Sequence, residues 1–135
     1  MVTPREADYI REKAYIPEHV ISLMQGISRG EPFFQEDHLF FRKDEGLIFI
    51  GYPLGGGFRE DVFSKVLQDA EEKFHPPAIW LIAPALPQNL GPRLRGREAD
   101  EYYCLDLRQQ AAKRSLQREV EKASSVLRAE RSRDW

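Results

Sequence analysis

Three consecutive glycines, Gly55, Gly56 and Gly57, stand where this chain could bind a phosphate-bearing cofactor. They follow a continuous apolar run at residues 47–54 and precede an apolar stripe that begins at Phe58. A strand that passes through glycines into a helix N-terminus presents free backbone N–H groups, and these stabilise an anion. In many proteins the same arrangement only reverses the direction of the chain, so the glycines predict either a cofactor-binding turn or a structural one.

The residues around the glycines favour the structural turn. Glu60 and Asp61 follow directly after Arg59, and their carboxylates already complement the helix dipole and would repel a phosphate. The glycines lack the Lys-Ser/Thr pair of a nucleotide P-loop, and a G-x-G-x-x-G spacing is absent. Gly55, Gly56 and Gly57 are nevertheless the only candidate cofactor-binding residues that the sequence offers.

The histidines and the single cysteine predict neither a metal site nor a catalytic residue. His19, His38 and His75 have no ligand spacing to one another or to Cys104. A nucleophilic thiol needs a base and an electropositive setting, which the neighbours of Cys104 do not supply. We therefore expect Cys104 to be a small buried residue of a strand, and His75 to end a helix. One cysteine excludes an internal disulfide and is typical of a reducing cytoplasm.

Two further groups have a possible chemical role beside an equally good structural one. The three arginines at residues 93–97 could bind an anion, but acidic residues 100–101 follow closely enough to pair with them. Tyr102 and Tyr103 could present an aromatic edge to a ligand or fill the core. Neither group decides between a binding protein and a structural one.

Local patterns predict the elements that position these residues. Thr3, Pro4 and Glu6 form a capping box with proline at the first helical position, and Ile16-Pro17 interrupts the helix that follows. Residues 32–34 are predicted to be an aromatic connector, and Gly46 suits a hairpin turn. The predicted segments are helices at 4–13, about 20–30 (capped by Gly30), 59–74 and from 109 onwards, with strands at 38–42, 47–52, 78–83 and 100–107.

These segments predict an α/β or α+β fold in the order α-α-β-β-α-β-β-α, with helices packed on a mixed sheet. The strands at 47–52 and 78–83, joined by the helix at 59–74, form a β-α-β unit and should be parallel. We expect one lobe over residues 1–107. Residues 108–135 form an amphipathic C-terminal helix with apolar residues at a spacing of three and four.

Charge is distributed unevenly between these two parts. Residues 1–107 hold 12 Lys/Arg against 18 Asp/Glu, a net charge of −6, whereas residues 108–135 hold 8 against 4, a net charge of +4. An acidic body repels phosphates, so we expect no nucleic-acid partner, and the basic tail can lie on that body. The uncharged stretch at residues 76–90 contains four prolines and is shorter than a membrane span requires. With no basic leader at the start, we expect neither a secretory signal nor a membrane span, and a cytoplasmic location.

The order of elements resembles the GNAT acyltransferase fold, in which two short helices precede a strand hairpin, a glycine-containing turn into a helix, and another strand. Segments 14–19, 47–54 and 100–103 look like the first half of larger bacterial proteins with two tandem GNAT-like lobes, related to the lobes of the lysyl-phosphatidylglycerol synthase type. In such proteins the N-terminal lobe is usually a degenerate partner, and the second lobe binds the acyl donor.

The resemblance implies that the strand–turn–helix would hold the pyrophosphate of acetyl-CoA. In the family the turn typically has the pattern Gln/Arg-x-x-Gly-x-Gly/Ala, whereas residues 52–57 lack the leading Gln/Arg. The amphipathic helix after residue 107 has no terminal Gly or Pro, as in a lobe that continues into a second one. The expected partner is therefore a second GNAT-like lobe, in cis or as a dimer.

Three hypotheses follow. The first is a non-catalytic GNAT-like lobe that needs no cofactor and packs against a second lobe. The second is a small CoA-dependent N-acyltransferase that binds an acyl-CoA at Gly55–Gly57 and uses Tyr102 or Tyr103 as general acid on the leaving thiolate. The third is a protein-interaction module that works through the C-terminal helix, for which the apolar stripe must be exposed.

Overall fold

A computed structural model of the chain describes residues 1–104 and 114–128. The chain divides into two units, Met1–Ala99 and Asp100–Trp135. The predicted fold class is confirmed, since helices pack on a four-stranded mixed sheet. The elements are α1 (Pro4–Lys13), α2 (Ile21–Ser28), β1 (Glu31–Gln35), β2 (His38–Lys43), β3 (Gly46–Ile50), α3 (Glu60–Phe74), β4 (Ala78–Ile82) and α4 (Arg114–Ser124), with short 3₁₀ turns at Pro17–His19 and Gln88–Arg93.

The sheet has the order β1-β2-β3-β4. The first three strands form an antiparallel meander, in which two-residue turns follow from the pairing of Gln35 with His38 and of Lys43 with Gly46. β4 pairs with β3 in parallel, with Ile50 opposite Ile82. The predicted parallel β-α-β unit is thus confirmed, and α3 is its crossover helix.

Two strand predictions differ from the structure. The stretch predicted as an aromatic connector at residues 32–34 is the middle of β1. The prediction missed this strand because Pro32 weakens the sequence pattern of a strand. Proline is nevertheless tolerated in an edge strand, where its missing N–H can face the side without a neighbouring strand. In the region predicted as a closing strand, residues 100–104 have no regular structure, and residues 105–107 lie outside the described residues.

The end of α2 also differs from the prediction. The left-handed C-cap residue is Arg29, with φ of 56°, rather than Gly30. Gly30 has another role, since a Cβ there would lie 3.0 Å from the Cβ of Phe41. The glycine therefore permits close approach of the chain to β2 instead of ending the helix.

The sheet is buried on both faces of its central strands. Side chains of successive strand residues point to opposite faces, so Phe40 packs against α3 while Leu39 and Phe41 pack towards α1 and α2. The core on the α3 side contains Phe40, Leu47, Phe49, Phe63, Val66, Leu67, Ala70 and Leu90. The core on the other side contains Ile10, Ile16, Met24, Leu39, Phe41, Ile50 and Leu54.

The second unit contains α4, which lies within the segment 108–135 predicted to be helical; residues 108–113 and 129–135 of that segment lie outside the described residues. Its apolar stripe is exposed: Leu116 is 51% exposed, Val120 56% and Leu127 70%. Among the described residues, no helix is long and apolar enough to cross a membrane.

Gly51 sets how closely α3 approaches the sheet. A Cβ at Gly51 would lie 2.5 Å from a ring carbon of Phe63 and 2.8 Å from the Cβ of Ala83. Both distances are shorter than van der Waals contact, and Phe63 is completely buried, so its ring has little room to move. Only glycine is compatible with this packing.

We expect Gly51→Ala to lower the free energy of unfolding by about 1–3 kcal/mol, because the added methyl group overpacks the core at Phe63. Urea unfolding followed by circular dichroism measures the change. Gly57→Ala is the matched control: a Cβ there meets nothing within 4 Å and the residue does not have a positive φ, so stability should stay equal or rise slightly. Equal stability of the two variants would contradict this account of Gly51.

Candidate functional site at the glycine turn

The glycine turn is anchored to α1 and to the β1–β2 turn by Asp37. The backbone N–H of Leu54 donates to the carbonyl oxygen of Asp37 at 2.9 Å, and the hydroxyl of Tyr9 donates to Asp37 Oδ1 at 2.8 Å. A Cβ at Gly55 would lie 2.8 Å from the Tyr9 hydroxyl oxygen and 2.9 Å from Asp37 Oδ2. A side chain at Gly55 would therefore displace the Tyr9 hydroxyl or the Asp37 carboxylate from its place beside the turn.

A second anchor comes from the segment between α1 and α2. His19 is 1% exposed, and its Nε2 lies 2.9 Å from the carbonyl oxygen of Tyr52. Since a carbonyl oxygen only accepts, Nε2 carries the proton and donates, while Nδ1 accepts from the backbone N–H of Tyr15 at 3.3 Å. The hydroxyl of Tyr15 donates to the carbonyl oxygen of Pro53 at 2.7 Å. His19 thus acts as a structural residue that ties this segment to the end of β3.

The other two glycines differ in what they contribute. Gly56 has φ of +69°, a left-handed conformation that favours glycine. Gly57 has no such constraint, and a Cβ there would point into open space. The turn geometry and close packing thus account for Gly55 and Gly56, whereas Gly57 has no structural requirement of this kind.

A surface pocket of about 390 Å³ lies beside the turn. Its two carboxylates, Glu36 and Asp37, belong to the β1–β2 turn, where both residues have positive φ values of 44° and 64°. We call it the glycine-turn pocket; it is lined by Glu36, Asp37, His38, Pro53, Gly55, Gly56, Gly57, Arg59 and Val62. The sequence did not indicate that the β1–β2 turn would meet the glycines, because nearly twenty residues separate them.

The cations near the pocket are already paired with acidic side chains. Arg59 Nη2 lies 2.7 Å from Asp61 Oδ2, and Lys65 Nζ lies 2.8 Å from Glu36 Oε1. Glu60 also lies in the first turn of α3, next to the N–H groups that an anion would use. The electrostatic setting therefore opposes an anionic ligand, as the sequence indicated.

His38 lies beneath the pocket and is 2% exposed. Its Nδ1 donates to the carbonyl oxygen of Glu36 at 2.7 Å, so Nε2 is the unprotonated nitrogen. The ring stacks on Phe49, with centroids 5.7 Å apart, and meets the ring of Phe63 edge-on. Within residues 1–104 and 114–128, His38 Nε2 has no hydrogen-bond partner. A neutral imidazole fits this apolar setting, because a charged one would be poorly solvated.

The remaining sequence candidates lie elsewhere. Cys104 is exposed, so the prediction of a buried strand residue was wrong. Tyr102 and Tyr103, 41% and 99% exposed, belong with Cys104 to the second unit. Arg93 pairs with Glu71 of α3, with Nη1 3.4 Å from Glu71 Oε2, so its local partner is an acid other than those at residues 100–101.

The described residues contain no cluster of three or more His, Cys, Asp or Glu that could hold a metal ion. His75 occupies the C-cap of α3 with φ of 46°, which is the helix-ending position predicted for it. The three histidines are thus spread over a connecting turn, a strand start and a helix end.

We expect the free energy of unfolding to decrease as the pH falls below about 6.5. Burial lowers the pKa of His19 and of His38 from the ordinary value of 6.5. The unfolded chain then binds protons at a pH where the folded chain does not, so stability is complete above 6.5 and is lost as the pH falls towards the lower folded pKa values. Denaturant unfolding at a series of pH values between 5 and 8 measures the slope.

Histidine variants show which residues cause this dependence of stability on pH. His19→Gln and His38→Gln should each reduce it, because each removes a histidine whose pKa is lowered by burial. Retention of the full slope in both buried-histidine variants would refute the assignment.

No family model, no curated protein and no solved structure matches the chain. The resemblance therefore remains a prediction that depends on the order of elements and on the segments quoted above.

Proposed function

We propose that the first unit, Met1–Ala99, is a non-catalytic GNAT-like lobe that packs against a second lobe and shapes it. The observation that supports this most is the acidic surround of the glycine turn, formed by Glu36 and Asp37 in the pocket and by Glu60 and Asp61 on α3. This is the turn at which a catalytic lobe of this type would hold its donor.

Electrostatics argue against a donor with a pyrophosphate. Two unit charges 4 Å apart interact by about 1 kcal/mol in water and about 4 kcal/mol near a protein surface. A carboxylate at such a distance would offset the attraction of α3's N-terminus, which is at most about 2 kcal/mol. Arg59 and Lys65 are the nearby cations, and to neutralise a phosphate they would have to leave Asp61 and Glu36.

Strand pairing gives a second argument. The N–H of Gly51 donates to the carbonyl oxygen of Ile82 at 2.7 Å, which continues the β3–β4 pairing beyond the end of β3. An extended acyl-CoA arm could pass between the two strands only if this hydrogen bond broke. The lobe is better suited to hold a rigid sheet than to admit such an arm.

We expect acetyl-CoA to cause no saturable shift in the amide resonances of residues 55–58, because the glycine turn lacks free cations. Nuclear magnetic resonance titration of the full chain measures these shifts. Inorganic pyrophosphate, titrated in parallel, separates an anion effect from recognition of the whole donor.

A matched variant makes the titration decisive. Gly57→Leu places a bulky side chain at the rim of the glycine-turn pocket without a clash at its Cβ, because a Cβ there meets nothing within 4 Å. If wild type shows saturable shifts that Gly57→Leu abolishes while remaining folded, the non-catalytic proposal fails. The small CoA-dependent acyltransferase, with Tyr102 or Tyr103 as general acid, then becomes the better proposal.

A second candidate function is protein interaction through α4. The supporting observation is the exposure of its apolar residues Leu116 and Val120, which are each at least half exposed; Leu127, which follows the helix, is 70% exposed. Basic residues Arg114 and Arg118 lie four residues apart on another side of the helix. An amphipathic helix of this kind can place its apolar face in a hydrophobic groove of a partner.

If the stripe serves a partner, the double substitution L116S/V120S should change the free energy of unfolding by no more than about 0.5 kcal/mol, as at other exposed positions. Leu67→Ala, at a core position on α3 that is 4% exposed, should cost about 2–5 kcal/mol in the same urea titration. A cost for L116S/V120S comparable to that of L67A would mean that the stripe is buried within the chain, and would remove this candidate.

A further inference from the structure

The two edges of the sheet differ in how they are protected against pairing. β1 carries Glu31 and Pro32, and charged residues and prolines are the usual means by which an edge strand avoids another strand. β4, from Ala78 to Ile82, contains no charged residue and no proline. Among the described residues, β4 pairs with β3 alone, so its other side is an unprotected edge.

Trp80, at the centre of β4, is 60% exposed. Its register partner on β3 is Ile48, which contributes to the core on the α1 and α2 side, so Trp80 stands on that face of the sheet. A Cβ at Gly46 would lie 2.7 Å from the Trp80 ring, so the glycine provides space for the indole. A well-seated but exposed tryptophan on an uncharged edge is typical of a protein interface.

Pairing with β3 also determines which backbone groups of β4 face outward. Ile82 accepts the hydrogen bond from Gly51 and lies opposite Ile50, so its N–H and C=O point towards β3. Because these groups alternate along a strand, those of Ile79 and Leu81 point away from β3, and those of Trp80 do not.

We propose that β4 pairs with β4 of a second copy of this chain, antiparallel and about a twofold axis at Trp80. This inference rests on the proposed function, since it identifies the second lobe as another copy. Ile79 of each copy lies opposite Leu81 of the other, where both residues have outward-facing N–H and C=O groups. Trp80 then lies opposite its own copy as a non-hydrogen-bonded pair, the closer kind of antiparallel pair.

The sequence around β4 is self-complementary in this register. Pro76 and Pro84 each lie four residues from Trp80, so the axis places them opposite each other as a non-hydrogen-bonded pair, where proline removes no hydrogen bond between the copies. Pro77 lies opposite Ala83, where the carbonyl oxygen of the proline can still accept. Because Pro77 has no N–H, this pair keeps one hydrogen bond instead of two, and the pairing weakens equally at both ends.

Charge favours a second copy over an unrelated strand. In a twofold interface, a residue on the axis lies opposite the same residue of the other copy. A charged residue there would therefore face a like charge. Residues 74–84 contain no Lys, Arg, Asp or Glu, whereas residues 1–107 carry a net charge of −6. β4 is thus a place where this acidic lobe can meet itself without repulsion.

Charge variants at the axis test the proposal on the full chain. Sedimentation velocity over a range of concentrations should show that wild type dimerises reversibly. Trp80→Lys and Trp80→Glu should each weaken dimerisation at least about tenfold, because like charges then face each other and the aromatic pair is lost. An equimolar mixture of the two variants should dimerise again, since lysine then faces glutamate.

Ile27→Lys is the matched control: Ile27 is 72% exposed on α2, away from β4, so this variant should dimerise like wild type. Circular dichroism checks that each variant is folded. Wild type that stays monomeric, dimerisation unaffected by Trp80→Lys, or a mixture that stays monomeric would each overturn the β4 interface.

The outcome is separable from that of the acetyl-CoA titration. A monomeric chain that binds no acetyl-CoA would support the non-catalytic lobe but reject the β4 dimer, and the second lobe would then not be another copy of this chain. A β4 dimer that binds acetyl-CoA saturably would keep the interface and reject the non-catalytic lobe.

Discussion

The packing of Phe63 on Gly51 is the contact on which the site depends. It brings the first turns of α3 against the end of β3, where a Cβ would come within 2.5 Å of the Phe63 ring. With the helix at this distance, the chain between them has to turn tightly, and the turn meets Tyr9 and Asp37. In this turn, close packing accounts for Gly55 and the backbone conformation accounts for Gly56.

Burial and charge together decide what the turn can do. Burial lowers the pKa of His19 and of His38, and one ring nitrogen of each donates to a backbone carbonyl group. The acidic side chains near the turn have their own cationic partners or complement the N-terminus of α3. A lobe arranged in this way is well suited to hold its shape and to present surfaces, and much less suited to capture an anionic donor. The uncharged edge at β4 is one such surface of the first unit, and the apolar residues of α4 are exposed on the second unit.

Sequence patterns predicted the elements whose signal is local and long. The apolar stripe of α3 and the two apolar runs beside it led directly to the parallel β3–β4 pair, because each pattern extends over at least one full element. Predictions failed where one residue type occurs in two different structural roles. Pro32 weakened the pattern of an edge strand, and Gly30 resembled a helix cap although it allows contact with Phe41. Cys104 was expected in a strand that the described part of that segment does not form.

By itself, the sequence determined the fold class, the β-α-β unit and the acidic character of the glycine turn, since these depend on periodicity and on charges that are neighbours along the chain. Only the tertiary structure decided what Gly51 and Gly55 contribute, because both are constrained by side chains from distant elements. It also decided that β4 is an unprotected edge among the described strands, since an edge is defined by what fails to pair with it. Local sequence patterns predict single helices and strands, whereas close contacts and exposed edges depend on how distant segments pack together.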